Sequence, residues 1–192
     1  MNLARAGDRA AFGQIVLRYQ DRLYTAVLRM VGDRDDAREL TQEAFTRALM
    51  SLDSFRAEAG PYTWLFRIAM NLAISRLRKS ARRRVVSLDT GGNGSGNAPV
   101  DQAAGLVNRL TGRCEELPHE AVAQRELQQQ VLAALGRLDS EYRAILVMRD
   151  IEGFDYQQMA DVLGLPLGTL KSRLFRARLA LRDELKAYLH KG

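Results

Sequence analysis

Cysteine is almost absent from this chain of 192 residues: Cys114 stands alone. No internal disulfide can form, and a reducing compartment is expected. Histidine is nearly as scarce. His119 and His190 are the only two, and with a single thiol they leave no constellation for zinc. Neither a phosphate-cradling Gly-x-x-x-x-Gly-Lys loop nor a Gly-x-Ser-x-Gly elbow occurs. No metal, no cofactor and no enzymatic activity are therefore expected. No apolar run is long enough for a bilayer-spanning helix, and no signal-like segment is found. A cytoplasmic protein without membrane insertion is expected. Segments alternating with period two are also missing, Val85 to Leu88 excepted, so strands are not expected.

What is present is helical and basic. A hydrophobic content of 46% marks a globular chain of one or two domains. Lys and Arg number 29 against 23 acids, a net charge of +6, which suits a polyanionic partner. The excess is local. Arg67, Arg76, Arg78, Lys79, Arg82, Arg83 and Arg84 form one run without a neighbouring acid, and the stretch from Lys171 to Arg182 forms another.

That second run belongs to the most informative segment, Asp155 to Asp183. Asp155 can cap a first helix, with Gln158 three residues on as in a capping box. Tyr156, Met159, Ala160 and Leu163 share one apolar face. Gly164 supplies a left-handed C-cap, and Pro166 prevents continuation. A second helix then carries Leu167, Leu170, Leu174, Ala177 and Leu181 on its inner face. The pattern is a helix-turn-helix, whose second helix fits the major groove of duplex DNA. At about 100° per residue, Thr169, Ser172, Phe175 and Arg176 point away from the leucines, towards the groove. Lys171, Arg173, Arg178 and Arg182 flank them, where phosphates would lie. A solvated basic face is the bland alternative, but it leaves Phe175 on the polar side unexplained.

The rest divides around one break. From Ser87 to Pro118 helical periodicity fails, and Thr90 to Pro99 reads TGGNGSGNAP, a flexible-linker composition. The expected architecture is all-α: a helical domain over residues 1–85, a flexible linker over 86–118, and a helix-turn-helix domain over 119–192. In the first domain Phe12, Ile15, Val16, Tyr19, Leu23, Ala26, Val27 and Met30 keep the helix period until Gly32. Asp33 or Asp35 starts a second helix that buries Ala37, Leu40, Ala44, Phe45, Ala48 and Leu52. Acids in its first turn suit the helix dipole. Glu43 lies past that reach, so Glu39, Gln42 and Glu43 form either a solvated stripe or a contact for a basic partner. A third helix runs from Tyr62 to about Arg83, with Leu65, Ile68, Ala69 and Leu72 inward and Arg67, Asn71, Ser75 and Arg78 in an outward stripe. Aromatics Phe55, Tyr62 and Trp64 border it. Cations beside rings suit single-stranded nucleic acid, although Trp64 also fits a core anchor.

Three stretches together resemble one family. DDARELTQEAFTRAL (Asp35 to Leu49), SFRAEAGPYTWLFRIAMNLAISRLRK (Ser54 to Lys79) and LPLGTLKSRLFRAR (Leu165 to Arg178) are similar to the extracytoplasmic-function sigma factors of bacterial RNA polymerase, in the sigma-70 superfamily. The resemblance spans about Gly7 to Leu185 in the family's order. It implies an initiation factor whose region 2 domain opens the minus-ten element and whose region 4 domain reads the minus-thirty-five element. Partners would be core polymerase (the beta-prime clamp helices and the beta flap) and promoter DNA, both duplex and melted strand. An anti-sigma factor is a further candidate. Glu39, Gln42 and Glu43 match the clamp-binding helix. Phe55 and Asn71 match the pocket for a flipped minus-ten base, with Tyr62, Trp64, Arg67 and Arg78 beside it. Lys171, Ser172, Phe175 and Arg176 match the minus-thirty-five readers. Ala59-Gly60-Pro61 departs from the usual specificity loop, and Lys171 stands where some relatives have Arg, which favours a phosphate contact. The competing class is a free-standing helix-turn-helix regulator with a helical sensing or dimerisation domain, binding DNA alone as a symmetric dimer.

Overall fold

The computed structural model describes residues 2–55, 60–89 and 130–189, all helices and their connections, with no strand among them. After a short α1 (Asn2–Arg5), α2 spans Arg9–Val31. Its N-cap Asp8 accepts from the backbone N–H of Ala10 at 2.8 Å and of Ala11 at 3.1 Å, satisfying donors that have no partner inside the helix. Gly32, at φ 78°, ends it with its N–H on the Leu28 carbonyl. Asp33 caps α3 (Arg34–Met50), and a 3-10 turn, Leu52–Ser54, follows. Helix α4 is Pro61–Asp89, and Pro61 suits its first position because no intrahelical bond needs that N–H. It runs on past Arg83 to Asp89, so Val85 to Leu88, the stretch with strand-like alternation, is helical; no described strand is there to pair with it.

Helices α2, α3 and α4 pack on one another around Leu23, Met30, Ala37, Phe45, Leu65, Phe66 and Met70, all buried. The C-terminal unit holds α5 (130–137), α6 (Ser140–Leu146) running into a π-helical turn (Val147–Ile151), α7 (Tyr156–Leu163) and α8 (Leu167–Leu189). Its core is Ile145, Leu146, Met148, Met159, Leu170, Leu174 and Ala177. The predicted capping box is present: Gln158 N–H donates to Asp155 at 2.8 Å, and Asp155 N–H to the Gln158 side chain at 3.1 Å. Gly164 sits at φ 64°. Leu167 departs from expectation at 41% exposed. As first residue of α8 its side chain leans back over the turn, away from the packed face. Leu181 is half-buried. The expected linker at 86–118 begins too early, because α4 continues through residues 86–89; the rest of it, with Ala59, Cys114, His119 and His190, lies outside the described residues. No helix among the described residues is long and apolar enough to cross a membrane.

The two units close on each other. Phe154, from the loop between α6 and α7, packs 4.7 Å from the Phe66 ring and 6.2 Å from that of Tyr62. Buried Arg143 on α6 donates to the Met30 carbonyl at the end of α2, and to the Gly136 and Leu138 carbonyls. Burial lowers its pKa, so those carbonyls are what keeps a buried cation tolerable.

Candidate nucleic-acid interface

The outer face of α8 is open. Lys171, Ser172, Phe175 and Arg176 are exposed, Phe175 by 65%. Thr169 is half-buried, and its carbonyl accepts from the Ser172 hydroxyl at 2.9 Å. Buried Leu170, Leu174 and Ala177 anchor the opposite face, so packing fixes which side chains project. Lys171 Nζ stands 5.8 Å from the Tyr156 ring centroid.

Three of the four flanking cations are balanced by acids, although their sequence run suggests otherwise. Arg178 pairs with Asp150 at 2.6 Å, Arg173 with Glu141 at 2.5 Å and Arg182 with Asp183 at 3.0 Å. The acids come from α6 and its π-helical turn, and from the adjacent residue. Two members of the run on α4 are compensated in the same way. Arg76 pairs with Asp36 and, at 2.8 Å, with Glu39; Arg78 pairs with Glu141 at 2.5 Å. These hydrogen-bonded pairs raise the pKa of Arg76 and Arg178. Being exposed, they contribute little stability, and they remain exchangeable for phosphate.

The α4 face is covered only at its aromatic end. Arg67 and Asn71 are exposed, but Asn71, Ser75 and Arg78 line a cleft of about 390 Å³ whose other wall is Glu141, Leu165 and Arg173 of the C-terminal unit. Phe55 is 6% exposed and meets Trp64 edge-on at 5.4 Å between ring centroids. Trp64 is half-buried against the core, as its anchor reading requires. Tyr62 is buried, with its hydroxyl donating to Glu152 at 2.9 Å. Burial, then the Glu152 carboxylate, pushes that phenol well above the usual tyrosine range, so it stays a donor. Seven residues separate Trp64 from Asn71, roughly 10 Å along the helix, so Phe55 with Trp64 and Asn71 occupy opposite ends of one strip.

On α3, Glu39 and Gln42 are exposed, Glu39 held by Arg76 and Glu43 by Arg47 at 2.5 Å. Gln42 also lines an open apolar groove of about 440 Å³ with Phe12, Val16, Tyr24, Phe45 and Leu49. Sequence reasoning missed Arg22, Arg29, Glu141, Arg143, Glu152 and Phe154. They bear on the site only because distant helices meet, and only the caps Asp139 and Asp155 mark that stretch locally.

An open, amphipathic recognition helix behind a capped turn defines a DNA-binding helix-turn-helix protein. Comparison with known proteins narrows the class. The profile of Sigma-70 region 2 matches residues 15–83, and that of Sigma-70, region 4 matches residues 128–181. RNA polymerase sigma-H factor of Pseudomonas aeruginosa is 34% identical over 97% of this chain and 92% of its own length. ECF RNA polymerase sigma factor SigW of Bacillus subtilis is 33% identical over 95% and 92%. Among solved structures, the sigma factor RpoE in complex with the anti-sigma factor NepR from Bartonella quintana is similar with a TM-score of 0.64 and 26% identity, over 92% of this chain and 97% of that one. The chain belongs to the sigma-70 family of RNA polymerase sigma factors, in its extracytoplasmic-function branch. It is therefore a transcription initiation factor of the promoter-recognition family.

Proposed function

We propose that the chain directs core polymerase to promoters by two distinct DNA contacts, one per unit. Helix α8 enters the major groove of the minus-thirty-five element. Ser172 and Arg176 face base edges, Phe175 and Thr169 supply apolar contact, and Lys171, Arg173 and Arg178 hold phosphates, which set register without choosing sequence. The α4 strip of Phe55, Tyr62, Trp64, Arg67, Asn71 and Arg78 takes the melted minus-ten strand, with Asn71 near a flipped base. The stacking lost there is offset by binding of the extruded base. Glu39, Gln42 and Glu43 dock on the clamp helices of the beta-prime subunit, and the C-terminal unit meets the beta flap. The solved relative held by an anti-sigma factor supports a partner of that class here.

The observation that carries this reading is the open α8 face, where Lys171 and Arg176 stand exposed around an exposed aromatic. The test is a mobility-shift titration of promoter-length genomic fragments with the free chain, core polymerase and both together. Sequence-selective complexes should require both. Selective binding by the free chain as a dimer would favour a free-standing regulator instead.

A further inference from the structure

The cleft between α4 and the C-terminal unit carries three kinds of chemistry in a fixed order. Its α4 wall presents Asn71, Ser75 and Arg78, which follow one another at about one-turn intervals, roughly 10 Å from first to last. An amide, a hydroxyl and a guanidinium are thereby set in line. Asn71 and Ser75 are exposed, and neither side chain has a hydrogen-bond partner among the described residues. Ile74, on the same wall, is buried and apolar.

The facing wall belongs to the other unit. Buried Ile145 of α6, half-buried Leu163 of α7 and half-buried Leu165 of the turn make most of it apolar. Glu141 and Arg173 close its cationic end. Glu141 accepts from Arg78 Nη2 on one carboxylate oxygen and from Arg173 Nη1 on the other, each at 2.5 Å. The acid thus holds two guanidiniums side by side and uses one nitrogen of each. An arginine has further N–H donors, so the pair keeps some for a second anion, and two cations against one acid leave that end positive. The enclosed volume, about 390 Å³, falls within the roughly 300–1,000 Å³ of small-molecule sites.

We propose that this cleft binds a free ribonucleoside 5′-monophosphate. The base lies between Ile74 and the wall of Ile145, Leu163 and Leu165, with one edge on the Asn71 amide, which donates and accepts together. The ribose meets the Ser75 hydroxyl. The phosphate takes the remaining N–H groups of Arg78 and Arg173 in charge-assisted contacts. Smaller classes of ligand leave part of the cleft unused. A sugar phosphate has no flat apolar face for the leucines, and inorganic phosphate engages the cationic end alone.

The test is calorimetric titration of the full chain with the ribonucleoside 5′-monophosphates of adenine, guanine, cytosine and uracil, with their nucleosides and with inorganic phosphate. At least one monophosphate should bind one to one, at least about ten-fold tighter than its nucleoside or phosphate, the size of one charge-assisted contact. Arg173→Met should weaken it about ten-fold, and Asn71→Ala should bring the bases to equal affinity, both with helicity unchanged. Glu141→Gln separates a ligand site from a structural acid. It removes a negative charge beside the phosphate and should tighten binding about five-fold, whereas loss of a structural pair alone would loosen the cleft and weaken binding. No monophosphate bound better than phosphate, affinity unmoved by Arg173→Met, or weaker binding with Glu141→Gln would overturn the proposal. Neither DNA nor polymerase enters the titration, so its failure leaves the promoter reading where it stood.

Discussion

Helices α8 and α4 both carry basic stripes with aromatics beside them, yet the structure treats them differently. On α8, Ser172, Phe175 and Arg176, on the side away from the leucines, are open to solvent. On α4, Tyr62 is buried and Arg78 is held by an acid of the other unit. Composition alone does not separate the two. What separates them is which acids and rings the tertiary fold brings opposite: Asp150 and Glu141 reach the flank of α8 at Arg178 and Arg173, whereas Glu152 and Phe154 meet Tyr62 and Glu141 meets Arg78 on α4.

The largest effect should come from disrupting the proposed polymerase contact on α3. Glu43→Lys puts a cation where a basic partner surface is proposed, and an interfacial like-charge contact costs several kcal/mol. Pull-down of core polymerase should fall by at least about 100-fold while the melting temperature changes little, since the Glu43–Arg47 pair is exposed. Undiminished pull-down by the folded variant would remove α3 from the polymerase contact.

Next in size is Arg143→Leu, which attacks the closed packing from beneath. It strips a buried donor from the Met30, Gly136 and Leu138 carbonyls. Buried groups left without partners cost about 1–3 kcal/mol each, and some water will re-enter, so about 3 kcal/mol of stability should be lost in urea unfolding. A change below 1 kcal/mol would mean the carbonyls find other donors.

Arg176→Ala sharpens the open half of the comparison. A bidentate contact to guanine is worth about 1–3 kcal/mol, and selection from a randomised minus-thirty-five library with holoenzyme should lose preference at one base pair. Arg178→Ala should instead weaken all sequences and lower the salt slope by about one, with a muted effect because Asp150 already competes for it. An identical selected motif with Arg176→Ala would make Arg176 one more phosphate contact.

Asn71→Ala tests the α4 half. Open-complex formation, followed by permanganate reactivity of unpaired thymines, should slow about ten-fold, equivalent to about 1.4 kcal/mol. Closed-complex binding should be nearly unchanged. Equal reactivity in both proteins would place the pocket elsewhere.

How far these faces could be read from sequence follows the distance between partners. The helix-turn-helix was legible because its determinants are local: Asp155 and Gln158 cap each other across three residues, and Gly164 ends the helix they start. The leucine face of α8 was legible by period, apart from Leu167 at the turn. The charge state of the stripes was not. Arg178 finds its acid 28 residues away, Arg76 finds one at 40 and Arg78 at 63, separations at which a linear run looks unbalanced. Glu152 reads as a solvated acid before a glycine until Arg22, 130 residues earlier, is placed beside it. Periodicity also assigns Tyr62 to a border of the strip, whereas ring packing with Tyr19, Phe66 and Phe154 makes it part of the seam between units.

The most direct measurement is transcription in vitro from fragmented genomic DNA by core polymerase, with and without the chain, followed by sequencing of transcript starts. The chain should create a set of new starts that share one motif near minus ten and another near minus thirty-five, and Arg176→Ala should alter only the second. Starts that are the same with and without the chain, or that share no upstream motif, would contradict the account.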